Sequence, residues 1–257
     1  SEPSSQPFLT DKMAPCRHKS DNITFHKIAL VIICFEGYHK PTGIAIFDTE
    51  TQAMPSHVVL KKRPFMEDYY QRQHTAYHEK TFHIDPTSFL GPLGRCLKPG
   101  DKILDVGCGS GRDLLWFKTR GFNVMGFERS EGLAALARKY AGCDVIEGDF
   151  EDYDFSKWTF DAVLLSGALV HTPHARLGAV FVSIVCGLRE GGNALVSLKE
   201  GNGSCIDKED RTFFFWQDED LRDIFLKHNF KILDFHRGVS KVNRTDTWLS
   251  YVLKKGL

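Results

Sequence analysis

The most informative stretch of the sequence is ILDVGCGSGRD, residues 103–113, in which three glycines follow a short apolar run at alternate positions. The apolar run is typical of a buried strand, and the residues after Gly111 are typical of the start of a helix. Gly107, Gly109 and Gly111 let the main chain approach a ligand closely, and backbone N–H groups at a helix N-terminus favour nucleotide-like groups. We therefore expect a nucleotide-like ligand at this loop.

The spacing of these glycines argues against a dinucleotide. The dehydrogenase fingerprint is GxGxxG, whose third glycine lets a helix pack tightly against a strand beside the pyrophosphate. The spacing here is GxGxG, and Arg112 stands where GxGxxG would have its last glycine. The pattern favours another kind of nucleoside ligand over NAD.

The elements that must position this loop alternate between strand and helix from Met66 onwards. This order predicts a doubly wound α/β fold with a seven-stranded, mostly parallel sheet. Because no long helix separates the last two strands, we expect them to pair antiparallel at one edge. The expected strands are 102–106, 122–127, 143–147, 160–166, 193–199, 230–235 and 247–253. The expected helices are 111–119, 130–141, 174–189 and 217–228, preceded by one or two in MEDYYQRQHTAYHEKTF and one in DPTSFLGPLGRCL.

Residues 1–65 are expected to form an N-terminal extension to a main domain at 66–257. Residues 1–22 are rich in Ser, Pro and charge and have no apolar periodicity, which predicts a mobile tail. Residues 23–60 contain two or three strand-like runs around a turn, which predict a small β-rich unit. A β unit of this size is only marginally stable by itself. We therefore expect it to pack on the main domain or on a second copy of the chain.

Composition limits the class of protein. The 33 Lys and Arg residues balance the 33 Asp and Glu residues, which gives no indication of a nucleic-acid or membrane-surface protein. The seven cysteines never form a CxxC pair, as is typical of reduced thiols in a cytoplasmic protein. The apolar run IALVIICF is far shorter than the roughly 20 residues of a membrane span and lacks a secretion cleavage site. We expect a cytoplasmic monomer or homodimer.

ILDVGCGSGRD resembles motif I of the class I S-adenosylmethionine-dependent methyltransferases, a hydrophobic strand followed by D/E-x-G-x-G-x-G. Three later segments, VMGFERS, VIEGDF and FDAVLLSGALVH, resemble that family's next motifs in the same order, and LREGGNALVSLKEG resembles its glycine turn and fifth strand. The resemblance covers about residues 66–257. It implies a Rossmann-like methyltransferase fold with S-adenosylmethionine as cofactor and S-adenosylhomocysteine as product.

The resemblance also implies a role for each motif. Glu128, 21 positions beyond Gly107, would hydrogen-bond both ribose hydroxyls. Asp149 would accept from the adenine amino group, and Phe150 would donate its backbone N–H and cover the ring. The end of the fourth strand would flank the methionine part. The full set of expected cofactor-binding residues is Asp105, Gly107, Cys108, Gly109, Gly111, Glu128, Arg129, Asp149, Phe150, Ser166, Gly167 and Tyr77.

Methyl transfer from a sulfonium is an in-line displacement, so the protein has to align donor and acceptor and exclude water. We expect Tyr70 and Tyr77 on a lid helix, where aromatic faces favour the sulfonium, although plain packing also fits this spacing. His171, after the fourth strand, is the candidate general base, and packing beside the donor is its alternative. The expected catalytic residues are thus His171 and Tyr70. No metal site is expected, because His171 and His174 lack a third ligand.

Other polar residues border this region. SLKEGNGSCIDKEDRTFFFW is expected to form a loop beside the acceptor pocket, with Lys199, Glu200 and Arg211 as candidates for holding an anionic or polar substrate. We expect at least two aromatics of TFFFW to belong to the core. His74 and His78 lie four residues apart on one helix face, where we expect exposure to solvent.

The expected function is methyl transfer to an oxygen, nitrogen or sulfur nucleophile of a small molecule. The neutral charge and the lack of an additional RNA-binding module support this prediction. The alternatives are a methyltransferase acting on tRNA or protein, or a donor-binding pseudoenzyme that serves as a partner subunit. LKKRP at 60–64 is the only basic cluster before the main domain.

Overall fold

A computed structural model describes residues 66–256, so the predicted tail and β-rich unit of residues 1–65 lie outside the described residues. The elements are α1 (Met66–Arg72), α2 (His74–Thr81), α3 (Thr87–Gly94), β1 (Lys102–Val106), α4 (Arg112–Lys118), β2 (Asn123–Glu128), α5 (Glu131–Ala141), β3 (Val145–Glu147), a 3₁₀ helix (Phe155–Lys157), β4 (Phe160–Ser166), α6 (His174–Val185), β5 (Leu188–Lys199), β6 (Ser204–Ile206), β7 (Thr212–Phe214), α7 (Asp218–Lys227), β8 (Phe230–Val239) and β9 (Thr247–Lys255).

Seven of the strands form one sheet in the order β3-β2-β1-β4-β5-β9-β8. The first five strands in this order run parallel, and β9 runs antiparallel to both β5 and β8. The predicted seven-stranded Rossmann-like sheet with an antiparallel last strand is therefore confirmed. Since β9 lies inside the sheet, β8 is the strand at that edge.

The two faces of the sheet are buried under different helices. On one face, Leu104 and Val163 share a core with Phe181 of α6 and Phe225 of α7. On the other face, alternate residues of the same strands pack against α3 and α4, as Ile103 does. Burying a large aliphatic side chain stabilises the fold by about 1.5–3 kcal/mol. Continuous apolar strands are what a sheet covered on both faces requires.

The largest differences from the sequence prediction lie directly before and after β5. The helix expected at 174–189 ends at Val185, because the chain turns at Gly187 and enters β5. At Gly187 an added Cβ would lie 2.7 Å from the Phe155 carbonyl oxygen, so the turn is packed against the 3₁₀ helix. The loop expected after the fifth parallel strand contains the antiparallel β6–β7 hairpin, which pairs Cys205 with Phe213.

The segment MEDYYQRQHTAYHEKTF forms two helices, α1 and α2, divided at Gln73, and α2 packs on α5. The expected solvent exposure of His78 is wrong, because its ring is 7% exposed and stacks on Tyr140 with ring centroids 4.5 Å apart. Burial, and then the neighbouring His83, lower the pKa of His78. His74 is partly buried, and an added Cβ on Gly132 of α5 would meet its ring at 2.5 Å. No helix in the described part of the chain is long and apolar enough to cross a bilayer.

Candidate active site

The glycine loop after β1 has a left-handed backbone at all three glycines. The φ angles are +70° at Gly107, +57° at Gly109 and +86° at Gly111, a region that favours glycine. At Gly111 an added Cβ would also lie 2.9 Å from Cα of Ala137. The close approach of α5 to the loop therefore excludes any side chain there.

Glu128, at the end of β2, ties this loop to the start of α5. Its Oε2 accepts a hydrogen bond from the Gly109 N–H at 2.8 Å, and its Oε1 accepts from the Ser130 N–H at 2.9 Å. Burial raises the pKa of Glu128, and these two backbone donors oppose the rise. The carboxylate thus lies at the carboxyl edge of the parallel strands, where such sheets bind ligands.

Three further expected residues gather beside β3. The Arg129 guanidinium donates to Asp149 Oδ2 at 3.2 Å, and Asp149 Oδ1 accepts from the Glu151 N–H at 3.0 Å. Phe150 is partly buried against the larger core. The expected nucleoside residues therefore lie at one edge of the sheet, next to Glu128.

Two buried groups lie in or directly before the loop. Asp105, one residue before the end of β1, is 2% exposed, and burial, then repulsion from Asp113, raise its pKa well above the usual value. Arg112 opposes this rise and donates to Asp113 Oδ1 at 2.6 Å. Burial likewise raises the pKa of Cys108, which keeps its thiol protonated and unsuited to act as a nucleophile.

The helices α1 and α2 cover the loop. A Cβ added at Gly109 would lie 3.5 Å from Cε1 of Tyr77. The Tyr77 ring therefore packs over the middle of the loop. Tyr70 packs edge to face on Tyr77 with centroids 5.3 Å apart. The Gln71 side-chain oxygen accepts from Ser130 Oγ at 2.9 Å, which attaches α1 to the start of α5.

His171 is held on both ring nitrogens. Its Nδ1 lies 2.6 Å from the Thr212 carbonyl oxygen, which only accepts, so Nδ1 carries the proton. In the neutral ring Nε2 is then the acceptor, and the Tyr70 hydroxyl donates to it at 3.0 Å. Burial, opposed by the Thr212 bond and assisted by the charge of Arg211, lowers the pKa of His171 to about 4. Burial raises the pKa of Tyr70 well above its usual value.

A cavity of about 690 Å³ opens directly beside the loop and extends towards the β6–β7 hairpin and the chain between β8 and β9. This volume is in the range of small-molecule sites. The expected site residues that line it are Tyr70, Tyr77, Asp105, Gly107, Cys108, Ser166 and Gly167. The remaining ones, which do not line it, are Gly109, Gly111, Glu128, Arg129, Asp149, Phe150 and His171. His171 is behind Tyr70, which is the member of the pair that reaches the cavity.

Of the polar candidates after the fourth strand, Lys199 lines the cavity and Glu200 does not. Lys199 Nζ lies 2.8 Å from Asp246 Oδ2, and both side chains are more than four-fifths buried, at 13% and 19% exposure. Glu200 forms an ion pair with Arg237 at 2.9 Å. The structure therefore places one of these two side chains, with an acidic partner, inside the cavity.

Arg211 also lines the cavity, on the hairpin that the sequence did not predict. Asp207 accepts from its guanidinium at 2.6 Å, and the guanidinium carbon lies 4.0 Å from the Tyr69 ring centroid. The hairpin thus contacts the lid through a cation–π interaction, which contributes about 0.5–2 kcal/mol. Phe213 and Trp216 of TFFFW are buried, as expected for at least two of its aromatics.

The sequence prediction missed Arg112, Thr212 and Asp246. The position of Arg112, directly after the last glycine of the loop, was a usable signal. Thr212 and Asp246 carried none, because both act through long-range contacts. Among residues 66–256, no three His, Cys, Asp or Glu side chains are grouped so that they could hold a metal ion.

Comparison with known proteins identifies the domain. Residues 103–192 match the family model of the methyltransferase domain, from β1 through the glycine loop, Glu128 and His171 into β5. This part of the chain is therefore similar to methyltransferase domains. The sterol 24-C-methyltransferase of Saccharomyces cerevisiae is 30% identical to the chain over 164 residues, which are 51% of this chain and 42% of the relative. The chain thus spans less than half of the length of that relative.

Solved structures share the fold of the methyltransferase domain. The 1,6-didemethyltoxoflavin-N1-methyltransferase of Burkholderia thailandensis aligns with a TM-score of 0.59 at 20% identity, over 74% of this chain and 84% of that one. The magnesium protoporphyrin IX methyltransferase of Synechocystis, solved with bound S-adenosylmethionine, aligns with a TM-score of 0.59 at 14% identity, over 78% and 100%. Identities this low concern the fold alone.

Proposed function

We propose that this domain binds S-adenosylmethionine and catalyses methyl transfer to an oxygen, nitrogen or sulfur nucleophile of a small molecule. One observation carries the proposal. The left-handed glycine loop and the Glu128 carboxylate are joined by the Gly109 hydrogen bond, and the cavity of about 690 Å³ begins at Gly107 and Cys108 of this loop. A loop and an acid in this arrangement suit a nucleoside, and a cavity of this size suits a small acceptor.

The residues present fit this cofactor. At Gly107 an added Cβ would lie 2.9 Å from Cβ of Ala168, so the loop is as closely built as a nucleoside cradle requires. Glu128 and Asp149 would hold the nucleoside part, and Ser166 with Gly167 would flank the methionine part. When bound, S-adenosylmethionine supplies an electrophilic methyl group.

The catalytic role of the chain is to remove a proton from the acceptor and to exclude water. Tyr70 Oη can accept the acceptor proton while its own proton passes to His171 Nε2, and the Thr212 carbonyl keeps His171 Nδ1–H in place. With a pKa of about 4, His171 is a weak base. It therefore suits acceptors that become strongly acidic as they are methylated.

A small acceptor is favoured over tRNA or protein by the charges of the cavity. Six basic side chains are balanced by six acidic ones, whereas a nucleic-acid groove is positively charged. These are Lys80, Arg112, Lys199, Lys208, Arg211 and Lys241 against Asp85, Asp105, Asp113, Asp207, Glu209 and Asp246. The relatives named above act, by their names, on sterol, porphyrin and toxoflavin-type molecules. Five cysteines in the described residues are unpaired, which supports our proposal of a cytoplasmic location.

Calorimetric titration with S-adenosylhomocysteine tests cofactor binding. Glu128→Ala removes the carboxylate and should weaken binding by about 1–3 kcal/mol, since buried polar partners lose their hydrogen bonds. Glu147→Ala is the matched control, because Glu147 is 41% exposed and pairs with Arg138. Equal affinities for the two variants, or no binding by the unaltered protein, would contradict the proposal.

Incubation with methyl-labelled S-adenosylmethionine tests the acceptor. We expect label to enter a low-molecular-weight metabolite fraction. Label found only in the RNA fraction, with an affinity that falls as salt rises, would establish the tRNA alternative instead.

A further inference from the structure

A row of three serines crosses the sheet at the floor of the cavity. Ser166 of β4 is the register partner of Ser197 of β5, and Ser197 is the partner of Ser250 of β9. Directly opposed residues of paired strands face the same side of a sheet. All three residues line the cavity, so three neighbouring strands present a hydroxyl to it in one line.

The same face of the sheet is apolar one step further from the cavity. The neighbouring row, two residues away on each strand, is Leu164, Leu195 and Val252. All three are buried in the core beneath α3. This face of the sheet therefore carries aliphatic side chains where it packs against α3 and hydroxyl side chains where it lines the cavity. The serine row is not part of that packed core.

Part of the hydrogen-bonding capacity of this row is unused. Ser197 Oγ accepts from the Gly167 N–H at 3.0 Å. The hydroxyls of Ser166 and Ser250 make no hydrogen bond to another residue within 69–256, and neither oxygen is among the buried unpartnered polar atoms of that range. Both hydroxyls therefore face the cavity, where they can bond a ligand that donates or accepts hydrogen bonds.

The next row on this face adds an aromatic wall and an ion pair. Lys199 of β5 is the register partner of Trp248 of β9, and both line the cavity. The Trp248 ring would lie 3.2 Å from a Cβ on Gly167, so the indole adjoins the end of β4. Lys199 and its partner Asp246 supply a donor and an acceptor beside the indole. Their opposite charges cancel, so the wall does not demand a charged ligand.

We propose that this floor is the acceptor subsite and that the acceptor is a polar ring compound with several hydrogen-bonding groups, such as a hydroxylated aromatic or a nitrogen heterocycle. This inference rests on the proposed function, because it assumes a donor beside Gly167. The indole face suits a flat ring, and the hydroxyl row suits ring oxygens and nitrogens. An aliphatic ring system would cover the Ser250 hydroxyl without pairing it, at a cost of about fivefold in affinity.

The experiment uses the indole N–H signals of the full chain saturated with S-adenosylhomocysteine. Four tryptophans give four signals, and Trp248→Phe identifies the one from Trp248. The polar probes are quercetin, 4-hydroxyquinoline and xanthine, and the aliphatic probe is cycloartenol in detergent. We expect at least one polar probe to shift the Trp248 signal, and Ser250→Ala to weaken its Kd about fivefold, the effect of one neutral hydrogen bond. Ser250→Thr keeps a hydroxyl and should retain most of the affinity.

Ser183→Ala is the control, because Ser183 lies on α6 away from the cavity and bonds the Val180 carbonyl. The affinity for S-adenosylhomocysteine should be the same in every variant, which also verifies folding. A Trp248 shift with cycloartenol alone, no shift with any polar probe, or an unchanged Kd in Ser250→Ala would overturn the subsite. Failure of the unaltered protein to bind S-adenosylhomocysteine would instead overturn the proposed function, and the acceptor role with it.

Discussion

Lowering the pH from 7 to 5 is expected to destabilise the protein through His171. In the folded chain its Nδ1–H is bonded to the Thr212 carbonyl, and its Nε2 accepts from the Tyr70 hydroxyl. A second proton on this ring would have to displace the Tyr70 proton in a buried place beside the charge of Arg211, which is why the pKa falls to about 4. The unfolded chain has no such restraint.

The size of this effect follows from the two pKa values. Between the ordinary pKa of 6.5 and about 4, the unfolded chain binds a proton that the folded chain does not. The free energy of unfolding therefore falls as the pH drops through this window, by at most about 1.4 kcal/mol per pH unit, and levels off below it. Because the ring is only partly buried, we expect a loss of about 1–2 kcal/mol between pH 7 and pH 5.

Urea unfolding at both pH values, for the unaltered protein and for His171→Gln, measures this loss. The buried His78, whose pKa is also lowered, contributes equally in both proteins and cancels in the difference. The unaltered protein should lose about 1–2 kcal/mol more than the variant on acidification. An equal loss in both, or an NMR titration of the His171 ring with a midpoint near 6.5, would refute this account of the site.

Two further predictions concern stability at pH 7, measured by urea unfolding. Gly121→Ala should lower the free energy of unfolding by about 1–2 kcal/mol, the cost of a left-handed backbone, because its φ is +85° and nothing lies near the added Cβ. Gly111→Ala has the same strain and also a clash with Ala137, so it should lower the free energy of unfolding clearly more. Equal costs would show that α5 can move away from the loop. Tyr251→Phe loses the hydrogen bond to Asp218 at 2.7 Å and should cost about 1–3 kcal/mol, and a neutral result would show that water replaces this contact.

The sequence predicted the central strands well. The bounds of β1 and β4 agree with the prediction at both ends, because each is an apolar run that stops at a glycine or a polar turn. All three glycines of the predicted loop, Gly107, Gly109 and Gly111, have a left-handed backbone. Such features depend on neighbours in the sequence, so local patterns are enough to find them.

Features that depend on distant partners were missed. The β6–β7 hairpin has two strands of three residues each, and β6 is fully exposed, so neither carries a periodic signal. The burial of His78 requires Tyr140, which α5 brings to it from 62 positions away. None of the residues next to His78 in the sequence indicates such a partner.

The same distinction separates the two halves of the candidate site. The glycine loop and Glu128 follow consecutive strands, and they fall within residues 103–192, the range that matches the family model. Ser197, Trp248 and Ser250 meet through the register of β5 and β9, beyond that range. The family match therefore covers the half that would hold the cofactor, and we infer the acceptor from residues outside this match. If the proposed floor receives the acceptor, a sterol like that in the yeast relative's name is disfavoured, because its aliphatic rings would lie on a row of hydroxyls.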